Sequence, residues 1–309
     1  MNQNINEFTY CTYIIQQENT KKAQSISQGV LYIVATPIGN LNDISLRALE
    51  ILNNADIIAC EDTRHSQHIL QWLKKNKKIV SYYKFNEKKR LPMLLHSLKE
   101  GKSIALISDA GTPGLSDPGE LLIQQAISEG IPVDIIPGPC AIIAALVLSG
   151  FKITPFMFGG YLPSKAKERN IHLSRFKQFP GTIVFFETPH RIKKCLIAIE
   201  NVYNNIPVCI ARELTKLNQE IIRGTAATIL NNIENKTMKG EITILIDNSS
   251  IDKNNMHDST SQLQIADIQA EFNKLISQGL SKQEALKLLS EITGESKKNL
   301  YARIFIKKD

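Results

Sequence analysis

A glycine- and proline-rich loop, SDAGTPGLSDPGE at residues 108–120, is the first stretch whose composition suggests chemistry. It lies between the apolar run 104–107 and the apolar, helix-like run 121–127. Glycine lets a backbone approach a ligand closely, and open α/β sheets bind ligands where strands end and helices begin. Asp117, Pro118 and Glu120 have the residue types and spacing of a helix start, which predicts a cap at Asp117. The loop therefore indicates either a ligand site or a tight turn between a strand and a helix.

Similar loops follow three other predicted strands. They are ATPIGNLND at 35–43, CEDTRHS at 60–66 and PGPCA at 137–141. The carboxyl ends of parallel strands share one edge of a sheet, so four such loops together favour a ligand site. None matches G-x-G-x-x-G or G-x-x-x-x-G-K-[ST], which disfavours a conventional dinucleotide or ATP site.

Ionisable side chains that could act as acids, bases or phosphate ligands cluster at three places along the chain, one of them in the loop 60–66. Asp62 could instead cap a helix, and an ion pair with Glu61 or Asp62 is the commoner role for a residue placed like Arg64. His96 and His172 have no partners at useful metal-ligand spacing, and no metal site is predicted. The three clusters are Glu61, Asp62, Arg64 and His65; Glu187, His190 and Arg191; and Arg212 and Glu213.

The elements that must position these loops are short apolar runs separated by helix-length segments. Apolar runs without clean alternation predict a parallel sheet that is covered on both faces, and hence an α/β domain over residues 30–150. A second α/β domain is predicted over 151–247, with strands at FMFGG, TIVFFE, VCIAREL and EITILI. The strands predicted in the first domain are 31–35, 56–60, 78–83, 103–108 and 132–136.

Polar segments flank these two predicted domains. Residues 1–29 are rich in Asn, Gln, Ser and Lys and are interpreted as a disordered tail. Residues 248–262 are interpreted as a linker, and residues 263–309 as a small helical appendage in which Ser281 caps a helix.

Composition limits the class of protein. The chain has 309 residues, a formal net charge of +7 and five widely spaced cysteines with no C-x-x-C pair. This cysteine usage indicates reduced thiols in a cytoplasm rather than disulfides or a zinc site. No run approaches the ~18 apolar residues of a membrane span, and the N-terminus does not have the pattern of a signal peptide. The positive charge is compatible with a polyanionic partner.

Six motifs in order together carry a resemblance to a known family. The chain resembles the ribosomal RNA small subunit methyltransferase I family, within the tetrapyrrole-methylase-like superfamily of S-adenosylmethionine (SAM) methyltransferases, over residues 30–247 and again over 279–303. The motifs are VATPIGNLND, CEDTRHS, SDAGTPGLSDPG, PGPCAIIAAL with a following SG, FFETPHRI and ARELTK.

The resemblance implies a fold, a reaction and partners. The fold is two α/β domains with SAM in the cleft between them. The reaction is methylation of the ribose 2′-hydroxyl of a cytidine in the decoding region of small-subunit (16S) rRNA, either free or in the 30S subunit. The enzyme is expected to act as a homodimer in the cytoplasm, with no metal and no membrane association.

The same resemblance implies a set of SAM-contacting residues, several of which would act through their backbone. Three positions depart from the family pattern. Cys140 replaces a usual Ser and loses a hydroxyl donor, Tyr161 replaces a common Phe, and Asn218-Gln219 replaces a usual acidic residue. The implied SAM-contacting positions are Pro37, Asp109, Gly111, Thr112, Cys140, Ala141 and Phe186.

Catalysis would require the handling of one proton, because a ribose hydroxyl is a poor acid. Arg64 is the first candidate, since its guanidinium could hold a phosphate and stabilise a developing alkoxide, with Glu61 or Asp62 keeping it in place. His65 is the alternative, as a base whose pKa is near the working pH. Glu187 is the next candidate.

Basic residues of the second domain are predicted to contact RNA. His190 and Arg191 follow a strand end beside the predicted cleft, which favours contact with phosphate or ribose over simple exposure on a helix. Lys165, Lys167 and Arg169 occur at helical spacing after GGYLP. Such a run is usually a solvated face, but an RNA partner favours phosphate contacts.

Two other functions stay open at this point. A superfamily relative could methylate another substrate, such as a precorrin or a diphthamide precursor. A ribosome-assembly factor could also keep the fold without catalysis. Intact GTPG and PGPCA loops argue against the second alternative, and the basic residues outside the cleft argue against a small anionic macrocycle.

Overall fold

The computed structural model describes residues 27–64, 66, 77–249, 265–277, 281–293 and 295–305. Most of the predicted tail and of the predicted linker therefore lies outside the described residues, as does His65. The described residues form two compact units. The larger unit contains two sheets, and the smaller contains residues 177–181 with the chain from Asn248 onward.

The first sheet is parallel, as predicted, with strand order β3-β2-β4-β1-β5. All four residues of β1 are buried, because successive side chains pack into cores on opposite faces of the sheet. Leu31 and Ile33 belong to one core, and Tyr32 and Val34 belong to the other. The strands are β1 Leu31–Val34, β2 Ile57–Cys60, β3 Lys78–Ser81, β4 Ile104–Ile107 and β5 Val133–Ile136.

Four helices in this part of the chain are α1 Leu46–Asn54, α2 Glu87–Lys99, α3 Glu120–Ser128 and α4 Ala141–Ser149. The Ser45 side chain caps α1. The prediction of a cap at Asp117 is wrong, because the N-cap of α3 is Gly119 with φ +138°. Glu87 Oε1 instead accepts the Gly119 N–H at 3.0 Å. A carboxylate from α2 thus does the work that the sequence pattern assigns to Asp117.

The second sheet is mixed, with strand order β6-β7-β10-β8-β9. Only β6 and β7 pair in parallel, and the other three pairs are antiparallel. The strand β9 was missed from the sequence because EIIRGT follows a loop and has no flanking turn signal of its own. The elements are β6 Phe156–Tyr161, α5 Ala166–Phe176, β7 Thr182–Glu187, α6 Ile192–Tyr203, β8 Pro207–Arg212, β9 Glu220–Thr225, α7 Ala226–Ile233 and β10 Ile242–Asp247.

Helix α4 connects the two sheets, because it follows β5 in sequence but packs against β8, β9 and β10. Ile142, Ala145 and Leu146 share a core with Val184 and Leu245 of the second sheet. The boundary predicted at residue 150 stays a prediction, since both sheets belong to one compact unit.

The described residues of the smaller unit form three helices, α8 Ile265–Ser277, α9 Lys282–Thr293 and α10 Lys297–Phe305. The predicted cap at Ser281 is confirmed, since Ser281 Oγ accepts the Glu284 N–H at 3.3 Å and the Glu284 carboxylate accepts the Ser281 N–H at 2.9 Å. Ile268, Phe272 and Leu300 are among the residues of its own small core.

Candidate active site

A cavity of about 450 Å³ lies where the loops of the first sheet face the second sheet, within the larger unit. Its volume falls in the range of small-molecule sites. The loops after β1, β2, β4 and β5 all contribute to its wall, through Ile38, Glu61, residues 109–112 and 115–117, and residues 140–142. The second half contributes Tyr161, residues 186–189, Ala211, Leu214 and residues 240–243. The four loops singled out in the sequence therefore converge on one site.

The loop 108–120 is fixed to the loop after β1 by a short backbone ladder. Thr36 N–H donates to Gly111 O at 2.8 Å, and Gly111 N–H donates to Thr36 O at 3.0 Å. Gly111 has φ +73°, a conformation that favours glycine. A Cβ at Gly111 would meet Ile38 at an ordinary 3.6 Å, so glycine is required here by backbone conformation rather than by lack of space.

The cavity is acidic. Five carboxylates line it, and no Lys, Arg or His of the described residues does so. Asp109 Oδ1 accepts the Asp62 N–H at 3.1 Å and so ties the loop after β4 to the loop after β2. A wall of this charge suits a cationic ligand and repels phosphate. The five carboxylates are Glu61, Asp109, Asp117, Glu187 and Glu241.

Burial has its largest effect on Asp117. Burial raises the pKa of its carboxyl to about 7, and the negative charges of Glu61, Asp109 and Glu241 add to the effect. The pKa of Tyr161 is also raised, first by burial and then by the charge of Asp117. The site thus holds a carboxyl that titrates near neutrality.

An aromatic group forms one side of the cavity. The Phe186 ring lies 4.9 Å from that of Phe158 and 5.7 Å from that of Tyr161, measured between centroids. Of the predicted cofactor positions, Asp109, Gly111, Thr112, Cys140, Ala141 and Phe186 line the cavity. Pro37 is not among the lining residues, although its neighbour Ile38 is.

The residues of the predicted catalytic cluster after β2 do not all line the cavity. Glu61 lines the cavity, whereas Asp62 and Arg64 do not. Arg64 Nη2 and Nε contact the Asp62 carboxylate at 2.8 and 3.2 Å, and the Arg64 side chain is 87% exposed. The Arg64 N–H also donates to Asp62 Oδ1 at 2.8 Å, so Asp62 stabilises a local turn. His65 lies outside the described residues.

The cluster after β7 is largely structural. Glu187 is buried, its Oε1 accepts the Thr188 N–H at 2.8 Å, and it pairs with Arg191 Nε at 3.2 Å. Arg191 also donates to Leu162 O. His190 is exposed. Of this cluster only His190 offers a solvent-facing side chain of the type predicted to meet RNA.

The basic run of α5 differs from its prediction at one position. Lys165 and Lys167 are exposed, with Lys165 Nζ 3.0 Å from Glu168. Arg169 is only 5% exposed, and its Nη1 donates to Ser164 O at 2.9 Å and to Pro163 O at 3.3 Å. The prediction that Arg169 contacts phosphate is therefore wrong, because its guanidinium binds the carbonyls of the loop before α5.

Sequence reasoning missed Asp117 and Glu241 as wall residues. The D-P-G-E spacing pointed to a cap, and nothing in the sequence showed that Glu87 would take that role. Glu241 precedes β10, whose first residue Ile242 pairs with Glu187 at the end of β7. This antiparallel pairing brings the start of one strand to the end of another, and the sequence had given no strand directions for the second half.

Two further properties concern the described residues alone. They contain no group of three or more His, Cys, Asp or Glu side chains arranged to hold a metal ion. Within the same ranges, no helix is long and apolar enough to cross a membrane.

Comparison with known proteins places this fold and site in a family. The sequence pattern of the tetrapyrrole (corrin/porphyrin) methylases matches residues 30–230. A protein of Thermotoga maritima named ribosomal RNA small subunit methyltransferase I is 44% identical over 218 residues, covering 71% of this chain and 98% of that protein. A protein of Halalkalibacterium halodurans with the same name is 37% identical over 281 residues, covering 90% of this chain and 95% of that protein.

Solved structures show the same fold at low sequence identity. A cobalt precorrin-4 methyltransferase has a TM-score of 0.55 at 19% identity, over 71% of this chain and 95% of its own. A uroporphyrin-III C-methyltransferase of Thermus thermophilus, complexed with S-adenosyl homocysteine, has a TM-score of 0.51 at 15% identity, over 70% of this chain and 96% of its own.

The fold and the cleft thus define a SAM-dependent methyltransferase of the class built from two facing sheets. The chain belongs to the tetrapyrrole methylase family and, within it, to the group named ribosomal RNA small subunit methyltransferase I.

Proposed function

We propose that this protein transfers a methyl group from SAM to the ribose 2′-hydroxyl of a cytidine in the decoding region of small-subunit rRNA. The observation that carries the proposal is the acidic cavity formed by the motif loops, in a chain whose relatives at 37–45% identity share the rRNA methyltransferase name. The finer statement, a cytidine and its 2′-oxygen, rests on the resemblance described for the sequence.

The cavity fits SAM by charge and by shape. The donor carries a sulfonium cation, and the carboxylates of the wall supply the opposite field, of which Glu187 is paired with Arg191 and Glu241 with Lys216. The Gly111 backbone and the apolar side chains of Ile38, Ala141 and Leu214 form an apolar part of the cavity wall. When bound, SAM supplies an electrophilic methyl group, and the protein has to orient it, exclude water and remove one proton from the acceptor.

The RNA backbone would remain outside the cavity. Phosphates are repelled by the acidic wall, so only the ribose of the target nucleotide would reach the methyl group. Exposed side chains that could contact RNA stand close in sequence to the wall: His190 follows Pro189, and the cations Lys165 and Lys167 come shortly after Tyr161. Arg64, whose exposed guanidinium contacts Asp62, is proposed to meet a phosphate beyond the loop after β2.

The chain is proposed to act as a homodimer through helix α4. Every residue of α4 except Ser149 is apolar. One face packs on the second sheet, while Ile143 and Val147, one turn apart, are 50% and 61% exposed. A helix that is apolar on all sides is usually buried on all sides, and a second copy of the same helix would cover this face.

Transfer of labelled methyl groups from SAM tests the reaction. Purified protein is given small-subunit rRNA or 30S subunits, and the product RNA is hydrolysed in alkali. A 2′-O-methyl group blocks cleavage at its own nucleotide, so the label should appear in an alkali-resistant dinucleotide that contains cytidine. Label in base-methylated mononucleotides, or label on a porphyrinoid acceptor and none on RNA, would overturn the proposal.

A further inference from the structure

We propose that Asp117 is the group that takes the proton from the acceptor hydroxyl during methyl transfer. This inference rests on the proposed function, because it assumes a hydroxyl acceptor. Nothing in the motif pattern marks Asp117 for this role, since its sequence context is that of a helix cap.

Asp117 has a carboxylate that is not used by the fold. Its expected role at the start of α3 is filled by Glu87. Among the described residues, Asp117 makes no hydrogen bond and no ion pair through its side chain, yet it is half-buried and lines the cavity. Burying a carboxyl without a hydrogen-bond partner destabilises a fold, so a carboxyl in that position is a candidate functional group.

The backbone before Asp117 is held in an uncommon conformation. Ser116 has φ +67°, in the left-handed region that residues other than glycine rarely adopt. Gly114 N–H donates to Pro118 O at 3.2 Å and closes the loop around residues 115–117. Such a conformation persists only where its surroundings determine it, and here its effect is to present residues 115–117 to the cavity.

The groups around Asp117 act on its charge in one direction. Glu61 from the loop after β2, Asp109 from the loop after β4 and Glu241 before β10 all disfavour its ionised form. Tyr161 at the end of β6 is neutral at pH 7, and burial raises its pKa still further above that pH. Glu187 at the end of β7 faces the same cavity and is paired with Arg191. As a result Asp117 is the carboxyl of this wall whose pKa is brought to about 7, where a general base is most effective.

Charge balance then couples the proton to the methyl group. With SAM bound, the sulfonium cation favours the carboxylate form of Asp117. In the transfer step the hydroxyl oxygen forms a bond to the methyl carbon while the carbon–sulfur bond breaks and its electron pair stays on sulfur. The hydroxyl proton passes to Asp117. A carboxylate and a sulfonium become a carboxyl and a thioether, so the cavity keeps the same net charge throughout, and the neighbouring carboxylates favour the protonated product state.

The other candidates are less suited by their contacts. Glu187 Oε1 is engaged by Thr188 and Arg191, while its Oε2 is buried and has no hydrogen-bond partner among the described residues. Arg64 is bound to Asp62, is exposed and does not line the cavity. Arg64 therefore fits a positioning role, and the ion pair with Arg191 favours the same role for Glu187.

The first test measures protons rather than turnover. SAM binding is followed by calorimetry at pH 7 in buffers of different ionisation enthalpy, for wild type, Asp117→Asn and the control Asp134→Asn, which changes an exposed aspartate of β5 away from the cavity. Wild type and the control should release about half a proton more per SAM than Asp117→Asn does, because the cation drives ionisation of a group that is half-protonated at its pKa. S-adenosyl homocysteine, which lacks the cation, should release less. Equal proton release by wild type and Asp117→Asn would overturn the proposal, whatever the acceptor proves to be.

The second test measures the pH dependence of methyl transfer to rRNA. Wild-type kcat/KM for SAM, which reports the enzyme before SAM binds, should rise through about pH 7 as Asp117 ionises. Asp117→Asn should lose on the order of 100-fold or more together with that limb, while still binding SAM, and Asp117→Glu should restore part of both. Loss of the limb in His65→Ala with its retention in Asp117→Asn would assign the base to His65 and contradict the proposal. Absence of any transfer by wild type would reject the proposed function instead, and the proton-release result would still decide the state of Asp117.

Discussion

At the scale of single residues, this site is governed by which carboxylates the fold satisfies and which it leaves to the cavity. Glu87 and Asp62 have partners that explain them, a helix N-terminus and an arginine in a local turn, and Glu187 Oε1 pairs with Arg191 while its Oε2 has no hydrogen-bond partner in the described part of the chain. Asp117 has none among the described residues. Because no contact in the fold explains the Asp117 carboxylate, we infer that its role is functional.

Asp117 should also affect stability in a pH-dependent way. Its pKa is raised from 3.8 in the unfolded chain to about 7 in the folded protein, so between these values the folded state binds more protons. Stability from this group is fully present below about pH 4 and is lost as the pH rises through about 7. Asn has the shape of the protonated form and cannot ionise.

The free energy of unfolding of Asp117→Asn, relative to wild type, should therefore increase between pH 5 and pH 8. Urea unfolding at the two pH values measures it, with Asp134→Asn as the control that should show no such change. A difference between Asp117→Asn and wild type that is the same at both pH values would contradict the raised pKa.

At the scale of elements, Gly111 of the 108–120 loop can be compared with Gly130, which has the same backbone conformation outside the cavity. Gly111 and Gly130 both have φ near +70°, at +73° and +71°, and neither site would be too crowded for a Cβ. Valine at either position should cost about 1–2 kcal/mol through its backbone conformation. Of these two glycines, Gly111 lines the cavity and Gly130 does not.

Gly111→Val should therefore weaken SAM binding by at least about tenfold, since a backbone shift worth 1.4 kcal/mol at the ligand has that effect. Gly130→Val should leave it unchanged. Calorimetric titration of both folded variants measures the difference. Normal SAM affinity in Gly111→Val would remove this loop from the binding site.

The basic start of α5 makes a second prediction at this scale. If Lys165 and Lys167 contact phosphates, their joint replacement by Gln should reduce the slope of log K for rRNA against log salt by about 0.7 to 0.9 for each contact. SAM affinity should stay the same. The control is Lys88→Gln with Lys89→Gln, two exposed lysines of α2. An equal change of slope in both pairs would indicate a general charge effect and not a contact surface at α5.

The limits of the sequence reasoning also appear at the scale of elements. Parallel strands in the first half were predictable because buried runs such as LYIV and IALI show no alternation, and the motif loops then had to meet at one edge. The second half could not be assembled in the same way, since antiparallel pairing of β10 with β7 and β8 depends on long-range packing. For the same reason Glu241 was missed. Arg169 was misassigned because spacing along a helix does not reveal that a guanidinium turns back to bind loop carbonyls.

At the scale of the whole molecule, helix α4 is the element that ties the parts together. It follows the PGPCA loop, its first residue lines the cavity, it packs on the second sheet, and its outer face stays apolar. A dimer formed through that face would hold the cavity wall of each copy against its partner and so limit motion at the site.

Ile143→Glu with Val147→Glu should convert a dimer into a monomer, because two charges would be buried at the proposed interface. Light scattering after size-exclusion chromatography measures the mass. Ile197→Glu, which alters a similarly exposed isoleucine on α6, should leave the dimer intact. A monomeric wild type at micromolar concentration, or dissociation caused equally by Ile197→Glu, would contradict this interface.

The most direct test of the central claim is mass mapping of 2′-O-methyl groups in small-subunit rRNA from cells with and without the gene. The account predicts that one methylated cytidine in the decoding region disappears when the gene is deleted. It should return with the wild-type gene and with the Asp134→Asn variant, and should not return with Asp117→Asn. An rRNA methylation map that is unchanged by the deletion would contradict the account.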